Sequence, residues 1–545
     1  MPHLHPTSHV DTFTRDNLPP DPQWPELLFD HPDLRYPDQM NCVEELLDGT
    51  IERHGADRPC LLSPDGSWTY GELAERVNRI AHVLVDELGV RPGNRVLLRG
   101  PNSPWLAACW LAVLRVGAVV VTVVPVLRSG ELVTILRAAE VSHAICEERF
   151  RADLDEAIDE IAQDPSGRSV SVLPYGGDSP YDLSRRAERH DTVFPAVRVS
   201  ADDACMIAYT SGTTGVPKGC VHFHRDVLAV ADTFSQHVLR PQPSDVFAGS
   251  PPFAFTFGLG GLLIFPMRAG ASTLLLEKAG PKELLRGVHE RGVSVLFTAP
   301  TAYRAMLADL ADHDLASLRR CVSAGEHLPA ATWEAWREAT GIRIIDGIGA
   351  TEMLHIFISA ADDDIRPGAT GRPVPGFVAA VLDADGNPVP DGEPGLLAVR
   401  GPVGCRYLAD PRQERYVRHG WNYTGDTYVR DSDGYLWYQS RSDDMIISAG
   451  YNIAPAEVEE ALLTAPEVAE TAVVGVPDER RGAVVAAFVV PAAGTDAGPD
   501  LAEKLRDHVK ARITPYKAPR VVEFVSELPR TVTGKLQRFK LRNTE

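Results

Sequence analysis

The sequence predicts an α/β protein in two parts: a large N-terminal domain of stacked α/β sheets carrying a β-rich subdomain, and a small α+β C-terminal domain. Three observations predict it. From about Asn41 to Thr351, apolar β-branched runs alternate with amphipathic helical runs, the pattern of largely parallel sheets covered by helices. From Gly376 to Tyr438, short strands are separated by turn signals at 383–387 and 431–434 instead, which reads as a β-rich subdomain. Near Asp443 the texture changes again, into a stretch of about a hundred residues, the size of an independent folding unit. The division falls at 1–442 and 443–545.

The elements follow in order. Residues 70–88 predict a helix and 95–98 a strand. The most apolar stretch, 105–125, predicts a helix over 105–116 and a buried strand over 118–124. Arg115 within it, and the break into two elements, read against a membrane span. Residues 204–208 form a buried strand, 282–291 a helix, and 293–297 and 342–345 strands. In the last part, 455–463 is a helix with acidic residues early in it, 468–476 and 483–490 are strands, 491–499 is a loop of small residues, and 501–513 is a charged helix.

The bulk numbers narrow the function classes. With 545 residues the chain exceeds a single core. A formal net charge of −21 argues against nucleic acid or an anionic membrane as partner. Residues 1–24 lack the basic start and apolar run of a secretory leader. The eight cysteines are scattered without a CxxC pair. They predict a reducing cytoplasm and no zinc site.

The densest chemical signal is Tyr209-Thr-Ser-Gly-Thr-Thr-Gly-Val-Pro-Lys-Gly219, with five hydroxyls, three glycines and a lysine in eleven residues. Glycines let backbone approach phosphate, hydroxyls and N–H groups donate to its oxygens, and Lys218 adds charge. It is not a Walker A loop, because Lys218 follows Pro217 and precedes Gly219. Asp346-Gly-Ile-Gly-Ala-Thr-Glu352 follows a strand and offers a carboxylate for Mg²⁺, and Ser323-Ala-Gly-Glu326 follows another strand. Asp426 suits ribose hydroxyls, Arg441 a ribose or phosphate, and Lys535 follows a glycine turn near the end. Taken singly, each has a plain alternative: a polar surface loop, a turn carboxylate, a surface ion pair or a basic tail.

Taken together and in this order, these motifs resemble those of the acyl-adenylate-forming enzymes, a superfamily that includes acyl- and aryl-CoA synthetases, firefly luciferase and peptide-synthetase adenylation domains. The resemblance spans about Asn41 to Arg542. It implies that Thr210, Ser211, Gly212, Thr213, Thr214, Gly215 and Lys218 cradle the phosphates of ATP, that Glu352 holds Mg²⁺, and that Thr351 meets a phosphate. It implies further that Gly325, Glu326, Asp346, Gly347 and Ile348 line the adenosine, with Ile348 standing where the family commonly has Tyr. Asp426 and Arg441 would hold the ribose. Lys535 would join carboxylate and AMP oxygens during adenylation. The small domain would be mobile about a hinge at Asp443, bringing Ser448, Ala449 and Gly450 to the pantetheine of coenzyme A for the second half-reaction.

A narrower resemblance, to the benzoate-CoA ligase branch and most of all to 2-aminobenzoate (anthranilate)-CoA ligases, rests on residues 249–261 (GSPPFAFTFGLGG) and 346–358. It implies a small aromatic carboxylate as substrate, held by Phe255, Phe257, Ala324, Gly349 and His355. From the residues alone, Phe255 and Phe257 beside glycines form either a flat slot or ordinary core, and His222 and His224 read as structural. Other readings of the same motifs are an aryl-adenylating enzyme that loads a carrier-protein pantetheine, a medium-chain fatty acyl-CoA ligase, and a catalytically silent nucleotide-binding protein. A homodimer is compatible with the chain.

Overall fold

The computed structural model describes all residues except 1–3, 166–168, 211–216, 442–443, 449–450, 479–480, 531–535 and 543–545. Two large sheets form the body. The first has six strands in the order Ser171–Tyr175, His143–Glu147, Arg95–Arg99, Val119–Val123, Ala204–Thr210, Lys218–Phe223. It is parallel except for the last pair. The second has nine strands and is parallel through its middle, from Pro59–Ser63 to Ile344–Gly349. Antiparallel strands close both of its ends.

Between the sheets lies the helix Pro104–Arg115, in which every residue from Leu106 to Arg115 is buried. Pro104 takes the first helical position, and the Ser103 hydroxyl accepts from the Leu106 N–H at 3.2 Å, a start that satisfies one of the orphan donors of the first turn. Arg115 donates there to the Phe194 carbonyl at 2.8 Å and pairs with Asp48. Among the described residues no helix is long and apolar enough to cross a membrane. All eight cysteines are buried and none is in a disulfide.

The expected β-rich subdomain is a five-stranded sheet built from Val378–Leu382, Pro394–Arg400, Val417–Arg418, Trp421–Arg430 and Leu436–Arg441. The C-terminal part is a three-stranded sheet of Val468–Asp478, Gly482–Pro491 and Val521–Phe524. The helices Pro455–Leu463 and Pro499–Lys510 pack over a core that includes Val458, Leu462, Val473, Val485 and Leu505.

Boundaries moved where local chemistry overrides periodicity. The helix expected over 501–513 runs Pro499–Lys510. Proline favours its first turn, while Pro515 disfavours helix at Thr514 and shortens the far end. The strand expected at 342–345 runs Ile344–Gly349, because residues 347–349 pair antiparallel with Ile356–Ser359. The helix expected over 70–88 begins at Tyr70 on a Thr69–Glu72 capping box and continues beyond His82 as a π-helical stretch, Val83–Glu87.

Candidate active site

The site forms where strand ends converge. Ser323 pairs with Asp346 in neighbouring parallel strands, so 324–326 and 346–349 lie side by side at their carboxyl ends, where open α/β sheets bind ligands. Gly325 has φ +90°, a left-handed turn that suits glycine. Burial pushes the Asp346 carboxyl up to about 8, against the Gly347 backbone and Ser323 hydroxyl that favour its charge. Asp346 thus holds a proton at neutral pH and can donate as well as accept.

A second approach brings the phosphate-loop ends together. Thr210 ends one strand and Lys218 begins the next, paired directly across the hairpin. Ser211, Gly212, Thr213, Thr214 and Gly215 lie outside the described residues. Lys218 Nζ donates to the Tyr407 hydroxyl at 2.9 Å, and that hydroxyl donates to Glu352 Oε1. Lys218 and Glu352 themselves stand 4.0 Å apart.

Glu352 sits in a single turn, Thr351–Met353. The Thr351 carbonyl accepts from His222 Nε2 at 2.7 Å. Burial opposes a charge on His222, but Cys220 and Asp226 favour it, and the balance lifts its pKa to about 9. Leu354 then takes a left-handed conformation, φ +64°, unusual for a residue with a branched side chain. His355, which follows, is buried at 2% exposure.

His355 is buried within a box of rings: Phe265 lies edge-on at 4.5 Å, Phe234 at 5.4 Å and Phe257 at 5.7 Å, with Phe297 a further neighbour at 6.4 Å. Among the described residues neither imidazole nitrogen has a hydrogen-bond partner. Burial drives the His355 pKa down to about 3, with only the Phe257 backbone opposing, so the ring is neutral. Gly260 and Gly261 make this box possible: a Cβ on the first would collide with His355, and on the second with Phe297. A Cβ on Gly349 would meet the His355 carbonyl oxygen at 2.8 Å. Phe255 is half-buried just ahead of the helix Thr256–Leu259, and Ala324 is buried in the main core.

Asp426 and Arg441 are register partners in adjacent strands, with Arg441 Nη1 3.1 Å from Asp426 Oδ1. The small domain docks onto the strand-end face. Arg530 bridges Glu326 at 2.7 Å and Glu470 at 2.8 Å, and the Ala330 N–H donates to Glu460 at 3.1 Å. His327 stacks on Tyr438 at 5.3 Å, and burial lowers its pKa to about 4. Ser448 is buried in the strand Ile446–Ser448. Lys535, Asp443, Ala449 and Gly450 lie outside the described residues.

The structure thus brings Thr210, Lys218, Thr351 and Glu352 together, Gly325 and Glu326 beside Asp346, Gly347 and Ile348, and Phe257 with His355. Sequence reasoning did not pick out Tyr407, Phe234, Phe265, Phe297 or the Arg530–Glu326 pair. No chemical motif marks them; each is functional only through what it touches.

A charged strand-end cleft beside a sealed aromatic box, with a small domain closing over it, defines an enzyme that couples a nucleotide to an organic acid. The chain belongs to the AMP-binding enzyme family, among its AMP-forming acid–thiol ligases: residues 47–407 match AMP-binding enzyme and 457–535 the AMP-binding enzyme C-terminal domain. It is 34% identical over 518 residues to benzoate–CoA ligase of Thauera aromatica, covering 94% of this chain and 97% of that enzyme. Among solved structures it resembles an anthranilate CoA ligase in complex with anthranoyl-AMP, with TM-score 0.88 and 36% identity over 94% of this chain and 98% of that one. It also resembles a benzoate CoA ligase from Burkholderia xenovorans, with TM-score 0.84 and 33% identity over 92% of this chain and all of that one.

Proposed function

We propose that this ligase activates a benzoate-type acid, benzoate or 2-aminobenzoate in class, as its acyl-AMP and transfers the acyl group to coenzyme A. The observation that carries the aryl assignment is the box around His355: rings on several sides, a neutral imidazole, and two glycines whose missing side chains leave room for those rings. Such a wall suits a flat ring and offers two unused nitrogens to a ring substituent. The similarity to benzoate and anthranilate ligases supports the same class.

In this reading a carboxylate oxygen attacks the α-phosphate of ATP and pyrophosphate leaves. The loop 210–215 and Lys218 hold the phosphates, with Thr351 beside them. Gly325, Glu326, Asp346, Gly347 and Ile348 receive the adenine, and Asp426 and Arg441 the ribose. Glu352 fits Mg²⁺: it is a hard oxygen ligand, and its bond to Tyr407 engages Oε1. The ion bound there would offset charge on the departing pyrophosphate. Lys535 aligns acid and α-phosphate; the docking of Arg530 on Glu326 supports a path for its segment to this face.

The domains divide at 442/443, inside the interval 408–456 left between the two family matches, with Asp443 as hinge. Rotation exchanges Lys535 for Ser448, Ala449 and Gly450 at the thiol entrance and excludes water from the anhydride. Buried, unpaired cysteines support a reducing, cytoplasmic setting.

The test is CoA-dependent AMP formation against benzoate, 2-aminobenzoate, hydroxybenzoates, a cinnamate and octanoate, with the thioester identified by mass. Preference for benzoate or 2-aminobenzoate is the expected result. Preference for octanoate overturns the aryl assignment. Adenylate without CoA thioester moves the acceptor to a carrier-protein pantetheine.

A further inference from the structure

We propose that Tyr407 is a positioning residue for the metal–nucleotide: its hydroxyl stands between Lys218 and Glu352 and keeps these opposite charges from closing on each other, leaving both available to Mg·ATP. The proposal rests on the nucleotide roles given above to Lys218 and Glu352.

The placement follows from the backbone. Residues 406–408 run as an added strand beside Lys218–Phe223, with the Val221 N–H donating to the Arg406 carbonyl at 2.8 Å and the Leu408 N–H to the Gly219 carbonyl at 2.9 Å. Tyr407 bridges Cys220 in this register, two residues after Lys218. Its own N–H is held by the buried side-chain oxygen of Gln413 at 2.9 Å, and its ring lies edge-on to Tyr416 at 5.8 Å. Tyr407 is 1% exposed, so the ring has nowhere to swing.

The hydroxyl uses both of its capacities. It accepts from Lys218 at 2.9 Å and donates to Glu352 Oε1. Without the hydroxyl, nothing described separates a flexible ammonium from a carboxylate 4.0 Å away. A direct charge-assisted pair, about 2.7–2.9 Å long, would form. In this partly desolvated site it would compete with the metal for the carboxylate and with phosphate for the ammonium.

Tyr407→Phe keeps the ring and removes the wedge. ATP binding is measured by equilibrium dialysis at stepped MgCl₂, with no acid or CoA present. The half-saturating Mg²⁺ is expected to rise about tenfold, as for loss of an outer-shell partner of a metal ligand. At saturating Mg²⁺ the ATP affinity is expected to return to within about twofold of wild type. Thermal unfolding without nucleotide confirms that the variant is folded. In the Tyr407→Phe background, Lys218→Met removes the intruding charge: ATP affinity at saturating Mg²⁺ is expected to fall with the lost phosphate contact, but the half-saturating Mg²⁺ is expected to come back down, which a merely structural defect would not do. Superimposable Mg²⁺ curves for wild type and Tyr407→Phe, or no recovery in the double variant, overturn the proposal and leave the nucleotide reading standing. Wild-type protein that binds no ATP at any Mg²⁺ overturns both.

Discussion

The proposed nucleotide side and the proposed aryl side of the site are built by opposite means. The nucleotide side is assembled from charges at strand ends, each answered by another: Lys218 through Tyr407 to Glu352, Arg441 to Asp426, Arg530 to Glu326. The aryl side has no answered charge at all. His355 is neutral and unpartnered, enclosed by rings that have room because residues 260 and 261 lack side chains. One side is tuned by electrostatics, the other by shape.

Substitutions can break that contrast, and the largest effect belongs to the charged side. Lys535→Ala is expected to slow adenylation by about 10²–10³-fold, the loss typical of one preorganised stabilising donor, while thioester formation from supplied acyl-AMP is largely kept. Separate assays of the two half-reactions decide it; equal loss of both would remove Lys535 from the first step.

On the aryl side, Gly260→Val drives a side chain into His355. It is expected to raise KM for the aromatic acid about tenfold and to lower stability by about 1–3 kcal/mol, as overpacking does, with KM for ATP unchanged. A matching rise in KM for ATP would mean that the two sides are not independent.

Arg530→Ala tests the seam between the domains. Its pairs with Glu326 and Glu470 are partly exposed, so each is worth about 0.2–1 kcal/mol. A decrease of adenylation by up to about fivefold is expected, with thioester formation spared. An unchanged first half-reaction would show that this docking is not the one in which adenylation occurs.

A further test is one of pH. The Asp346 pKa lies near 8 in the folded protein against 3.8 ordinarily. Between those values the folded chain holds a proton that the unfolded chain has released, so stability falls as pH rises through that window. Asp346→Asn should remove this decline, and melting curves from pH 5 to pH 8 should diverge with the variant gaining. Parallel curves would mean that the Asp346 carboxylate ionises normally.

The same contrast explains what could be read from the chain. The charged side was legible because phosphate and metal chemistry demand particular residue types close together, as in 209–219 and 346–352. The three-part fold was legible because hydrophobic periodicity and turn residues change at Gly376 and near Asp443. The ring box was half-legible: Phe257 and His355 were candidates, but Phe234, Phe265 and Phe297 are ordinary core residues until three elements pack together. Tyr407 was invisible for a related reason. Its partners lie 55 and 189 positions away, and only strand register brings them within reach.

Leu354 makes the two sides neighbours in a mechanical sense. Its left-handed backbone is the single link between the turn that carries Glu352 and the imidazole that walls the ring box. Anyone reshaping this enzyme for larger acids therefore inherits a constraint. Moving His355 to widen the box would pull on Glu352 through only the two intervening residues, Met353 and Leu354. Trimming Phe234 or Phe265, which hang from separate helical segments, enlarges the same space without touching that tether.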